Sequence, residues 1–186
     1  MIGNGFNASS CDHFAGTSTG GLIAAAKAVG IPTARITDIY REHGSEIFYR
    51  SEVPFWSKLK HFFREKYSDE AFVTLDQEIF SKKKTLGEVE KHLTLVAYDV
   101  TGGSKTKPGP FIMDSKGSDE AKAMKLWECL RSTTAAPSYF TPFQTPNNRS
   151  LIDGGACCND PTMAAISSIR RLDRQNKTHD FENLFV

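Results

Sequence analysis

Apolar positions along this chain fall into two alternating rhythms. Compact apolar runs a few residues long give way to stretches where apolar side chains recur every three or four positions, the spacing of a helix buried on one side. Cys11-Asp12-His13-Phe14-Ala15 has the length and apolar end of a short strand. Leu22 to Val29 reads as a helix that Gly30 and Pro32 terminate. Thr33 to Ser45 reads as a second helix, with Ile36, Ile39 and Tyr40 at helical spacing. Phe55 to Lys66 has a different character. Phe55, Trp56, Leu59, Phe62 and Phe63 share one face, while Lys58, Lys60, His61, Arg64 and Lys66 cover the rest. Such a basic helix with aromatic teeth either packs over a cleft or touches a membrane surface.

The second half repeats the alternation. Thr85 to Leu93 predicts a helix, Thr94 to Val100 a buried strand, and Thr101 to Gly109 a loop. Phe111-Ile112-Met113 is a short strand able to pair back. Asp119 to Ser132 is expected to be one helix, capped by Asp119, with Ala123, Leu126, Trp127 and Leu130 lining a face. Pro137 and Pro142 bracket an ordered loop around Ser138-Tyr139-Phe140. A strand at Leu151-Ile152 follows, then a helix from Pro161 to Leu172 whose Arg170 and Arg171 suit its negative dipole end. Asn183 to Val186 begins to read as another strand. Strands alternating with helices predict an α/β fold: a mainly parallel central sheet with helices on both faces. No repeat or low-complexity tract interrupts it, and 186 residues suit one domain.

Two of the strands end in chemistry. After the first comes Gly16-Thr17-Ser18-Thr19-Gly20, a G-x-S-x-G pattern with Gly21 behind it and a helix beyond. A strand–elbow–helix context is what that motif needs. A tight turn expected to admit only glycine beside the serine lifts its Oγ clear of the sheet, and the helix N-terminus offers N–H groups to a developing oxyanion. The plainer alternative is a Ser/Thr-rich helix cap. The later strand ends in Asp153-Gly154-Gly155. Aspartate before two glycines is often only a turn, yet in open α/β sheets reactive groups gather at the carboxyl ends of strands.

These segments resemble the patatin-like phospholipase family of lipid acyl hydrolases. The resemblance rests on Phe14 to Gly21, Ala97-Tyr98-Asp99, Thr133 to Phe140, and Asp153-Gly154-Gly155 followed by Asn159-Asp160-Pro161-Thr162, in that order. It implies a three-layer α/β sandwich and a Ser-Asp dyad, with Ser18 as nucleophile and Asp153 as general base. It also implies hydrolysis of fatty acyl esters, phospholipids among them, through an acyl-enzyme, with no cofactor and no catalytic histidine. Gly16, Thr17, Thr19, Gly20, Gly154 and Gly155 complete the two motifs, and the Thr19 N–H would contribute to the oxyanion hole. Family members carry a glycine-rich oxyanion loop after an earlier strand, and only ten residues precede Cys11 here. The expectation is therefore a single domain over 1–186 that lacks that strand and loop and a C-terminal part. The alternative is an impaired remnant that binds a lipid or a partner.

Composition narrows the classes further. With 23 basic and 22 acidic residues the net charge is +1, which gives no global attraction to nucleic acid. No apolar stretch approaches the ~18 residues of a membrane-spanning helix. The first residues lack a basic stretch followed by an apolar core, so the expected location is cytoplasmic, peripheral on membranes. Cys11, Cys129, Cys157 and Cys158 show no zinc spacing, and neighbours 157 and 158 pair poorly, so free thiols and no metal are expected. His13, His43, His61, His92 and His179 are scattered. Only His179 follows Asp153 as a Ser-Asp-His triad would require, and it stands in a polar stretch.

Overall fold

The computed structural model describes residues 11–48, 80, 84–102 and 107–176. The aromatic helix expected over Phe55–Lys66, His179, the strand expected at 183–186 and the segment before Cys11 lie outside the described residues.

Strand β1 (His13–Thr17) runs into helix α1 (Thr19–Ala28), followed by α2 (Thr33–Phe48). Strands β2 (His92–Asp99) and β3 (Gly109–Asp114) come next, then helices α3 (Asp119–Ala123) and α4 (Leu126–Thr133). Strands β4 (Phe143–Gln144) and β5 (Ser150–Asp153) lead to α5 (Thr162–Asn176). Helices cover both faces of the sheet, as the alternation predicts. Leu95 of β2 reaches Gly21 of α1 beside Thr133 of α4. His92, of opposite parity along the strand, hydrogen-bonds Ser168 of α5 on the other face. Between the layers, Leu93, Leu95 and Ala97 of β2 join Ala25, Leu126 and Leu130 in a core of fully buried side chains. Each buried leucine contributes about 1.5–3 kcal/mol.

The strand pairing is more mixed than the alternation alone predicts. β1 lies parallel to β2, while β2–β3, β2–β5 and β4–β5 are antiparallel. The registers place β1 and β5 on the same edge of β2. Thr17 pairs with Val96, Asp153 with the next residue, Ala97, and β3 takes the opposite edge of both. β1 and β5 thus stand end to end, pointing at one another. The short turn at 145–149 reverses the chain between β4 and β5, and a hairpin reversal makes an antiparallel pair.

Three local expectations are corrected. The first strand is displaced two residues, so Gly16 and Thr17 are strand rather than turn. Residues 85–93 hold one 3-10 turn, Leu86–Glu88, and β2 begins already at His92. The helix expected at 119–132 is broken at Met124–Lys125, and Ser118, not Asp119, caps it by accepting the Ala121 N–H. The break has a tertiary cause. Leu86 N–H donates to Met124 O, and Leu126 N–H donates to Lys84 O, both at 2.8 Å. The passing segment takes hydrogen bonds that a continuous helix would have kept.

Two polar clusters fix the sheet. Arg149, at the entry to β5, donates to Asp99 Oδ2 and Glu120 Oε1 at 2.7 Å each, with its guanidinium over the Phe111 ring. That clamp holds β5 in register against the end of β2 and leaves Asp99 and Glu120 below the usual carboxylate range. On the α5 face, His13 and His92 stack with centroids 3.9 Å apart. His92 meets Asp114 Oδ1 at 2.8 Å, and Ser168 and Arg171 bond Asp114 Oδ2. Nothing in the spacing of the histidines announces this cluster.

Candidate active site

Ser18 sits between β1 and α1 with φ 54° and ψ −130°. This conformation is costly for a residue with a Cβ and is expected at a nucleophile elbow, where surrounding structure holds the strain. Gly16 makes the turn feasible. A Cβ there would lie 2.5 Å from Gly20 C and 2.6 Å from Gly21 Cα, inside the first turn of α1 folding back on the strand. Gly20 differs from expectation. A Cβ on it meets nothing within 4 Å, and its φ is not positive. The tight contact on that side belongs to Gly21, against Thr133 Cγ2 at 2.9 Å and Leu95 Cδ2 at 3.2 Å. The serine is therefore flanked by one obligatory glycine, and the second steric requirement falls one residue later than the motif places it.

Asp153 is delivered from the opposite direction. It ends β5 and is 6% exposed. The 3-10 turn Gly154–Ala156 then lifts the chain over β2. A Cβ on Gly154 would lie 2.7 Å from the Val96 carbonyl carbon and 3.0 Å from Thr17 Cγ2, so only glycine passes there. Because the two carboxyl ends face each other along one edge of β2, the side chains meet: Ser18 Oγ donates to Asp153 Oδ2 at 2.5 Å. The other carboxylate oxygen accepts the Gly155 N–H at 2.7 Å. Each oxygen thus has a partner of its own, and the Gly155 amide orients the carboxylate toward the hydroxyl. Thr17 braces the junction, its Oγ1 donating to Cys158 O at 2.9 Å.

Thr19 opens α1, and its amide belongs to the positive end of a ten-residue helix immediately beside Ser18. Ser18 and Thr19 are half-buried and Gly20 is exposed. Cys157 follows directly on the Gly154–Ala156 turn. Burial first, then Cys158 and Asp153, push its thiol up, and it stays protonated at neutral pH. The four cysteines are free thiols, and no group of three metal-binding side chains occurs among the described residues. Two contacts at this site escaped sequence reasoning, the Gly155 N–H donating to Asp153 and Thr133 Oγ1, which accepts the Ser18 N–H. The latter lies within the Thr133–Phe140 block, so a signal existed, but its partner is 115 residues away.

The profile of the family described as patatin-like phospholipase matches residues 8–166. Similar proteins include patatin-like protein 4 of Arabidopsis thaliana, 33% identical over 86% of this chain and 42% of that protein. Patatin-11 of Solanum tuberosum is 31% identical over 89% of this chain and 44% of its own length. A probable inactive patatin-like protein 9 of Arabidopsis thaliana is 29% identical over 85% and 43%. The chain spans less than half the length of these relatives.

Proposed function

This chain belongs to the patatin-like phospholipase family, and on that premise we propose that it is a lipid acyl hydrolase working through Ser18 and Asp153. The observation that carries the reading is the 2.5 Å hydrogen bond from Ser18 Oγ to Asp153 Oδ2. In this reading Ser18 Oγ attacks the carbonyl carbon of a fatty acyl ester while its proton passes to Asp153. The oxyanion accepts from the Thr19 N–H, and the alcohol leaves with the proton that Asp153 held. Water, deprotonated in turn by Asp153, cleaves the acyl-enzyme, and the proton returns to Ser18. The substrate is a phospholipid or another fatty acyl ester. A cytoplasmic chain peripheral on membranes accords with the free thiols and with the aromatic stripe Phe55, Trp56, Phe62 and Phe63. The stripe rests on sequence pattern alone.

Hydrolysis of a short-chain nitrophenyl ester tests the reading. Ser18→Ala should abolish turnover and Asp153→Asn should nearly do so, with melting temperatures kept. Unchanged turnover in either variant removes the dyad. A second reading, an impaired module that binds lipid or a partner, draws on the relative named probable inactive. A fluorophosphonate probe separates the two: labelling at Ser18 marks an enzyme, and silence marks the binding module.

A further inference from the structure

Building on the dyad reading, we infer that Thr133 is a positioning residue for the nucleophile, and that the end of α4 is the template setting Ser18 and Asp153 at reacting distance. The two dyad residues stand on strands that do not pair with each other. Their common partner β2 sets the two strand ends opposite each other, but Ser18 itself lies beyond β1, and a contact from outside the sheet is left to hold it. Ser18 N–H donates to Thr133 Oγ1 at 3.0 Å, and Thr133 Oγ1 donates onward to Val96 O at 2.5 Å. Two residues later, Ala135 O accepts the Asp153 N–H at 3.0 Å. Residues 133–135 thus receive the backbone amides of both dyad members, and all three sit buried at the C-terminal end of α4.

The Thr133 side chain is suited to this on both of its branches. The hydroxyl is buried without exposure, so the hydrogen bonds to Ser18 N and Val96 O are made away from water. The methyl packs on Gly21, against the first turn of α1. Ser18 holds φ 54°, a conformation that needs outside support. The bond from its own amide to Thr133 resists relaxation of that turn, which would swing Oγ away from Asp153. Serine keeps the hydroxyl at this position and valine keeps only the shape.

The test uses Thr133→Val and Thr133→Ser in the intact chain. For each, kcat and KM on a soluble ester are normalised to the Ser18 labelled by fluorophosphonate, and melting temperature is measured in parallel. Thr133→Val should lower kcat and the labelling rate by about 10²-fold, the cost of a misplacement near 1 Å, with KM within about twofold. Thr133→Ser should return most of that loss. A purely structural role would lower the melting temperature of Thr133→Val and leave kcat per labelled site unchanged, which overturns the inference. Amide exchange of Ser18 in the wild type needs no variant that folds. Ser18 N–H should exchange slowly although no helix or strand ladder holds it, and fast exchange overturns the inference as well. If wild-type Ser18 resists the probe while its amide is protected, the dyad reading fails and the template stands as geometry. If wild type labels and Thr133→Val labels equally fast, the dyad survives and the inference fails.

Discussion

Replacing either motif glycine by alanine should have opposite consequences, although the G-x-S-x-G pattern treats the two alike. In Gly16→Ala the new Cβ falls 2.5 Å from Gly20 C and closer still to Gly20 O, against about 3.4 Å for an ordinary contact, so the α1 turn must retreat by about 0.9 Å or more. Backbone lies on every near side, and no flexible side chain can yield. The turn that retreats carries Ser18 and the Thr19 amide. A displacement near 1 Å costs about 10²-fold in rate, and overpacking of this kind destabilises by about 1–3 kcal/mol. In Gly20→Ala the Cβ enters open space in the first turn of α1, at an exposed position. Alanine there gains helix propensity of at most about 1 kcal/mol. The assay is kcat on acetyl or butyryl nitrophenyl ester, normalised to Ser18 labelling, with melting curves for both variants. Gly16→Ala should lose activity and melt earlier, while Gly20→Ala should stay within a few-fold of wild type and melt no earlier. Equal damage from both substitutions would refute the steric reasoning.

Three further outcomes follow from the same residues. His179→Ala should leave ester hydrolysis within a few-fold, whereas a loss matching Ser18→Ala would establish a triad. Trp56→Ala combined with Phe63→Ala should weaken binding to anionic vesicles and spare a soluble ester, with binding of the unmodified chain falling as salt rises. Tryptophan fluorescence that ignores such vesicles would assign the stripe to packing. Acid stability should decline in two windows. Burial, then His92, holds His13 at about 4 despite the pull of Asp114, so its contribution is whole above pH 6.5 and fades as pH falls toward 4. Hydrogen bonds from His92 and Ser168 outweigh the upward push of burial and bring Asp114 to about 2, so its contribution is lost between about pH 3.8 and 2. His13→Asn should remove the upper decline in melting temperature, and an unaltered pH profile would contradict that assignment.

Ser18, Asp153, Gly16 and Gly154 were legible in the chain because turns with no room for a Cβ leave glycine in the sequence, whereas Gly20 has open space around it. A strand that must turn at once into a helix needs a residue without a Cβ at Gly16, and a turn that crosses a carbonyl needs one at Gly154. The layering was legible too, since apolar periodicity reports which sides of an element are buried. Where a neighbour overrode local preference, the pattern misled. The helix at 119–132 has unbroken periodicity, yet the strand-like pass of Lys84–Leu86 takes its hydrogen bonds and splits it.

The sequence by itself determined the fold class, the family and the identities of the two residues that meet. Only the tertiary structure decided how they meet. Local pattern carries no strand direction, and β5 approaches β1 head-on along one edge of β2 because a turn reverses it and the Arg149 clamp holds its register. The contact between Thr133 and Ser18 was decided in the same way, since a hydroxyl in a helix gains a partner 115 residues distant only when the chain has closed around it.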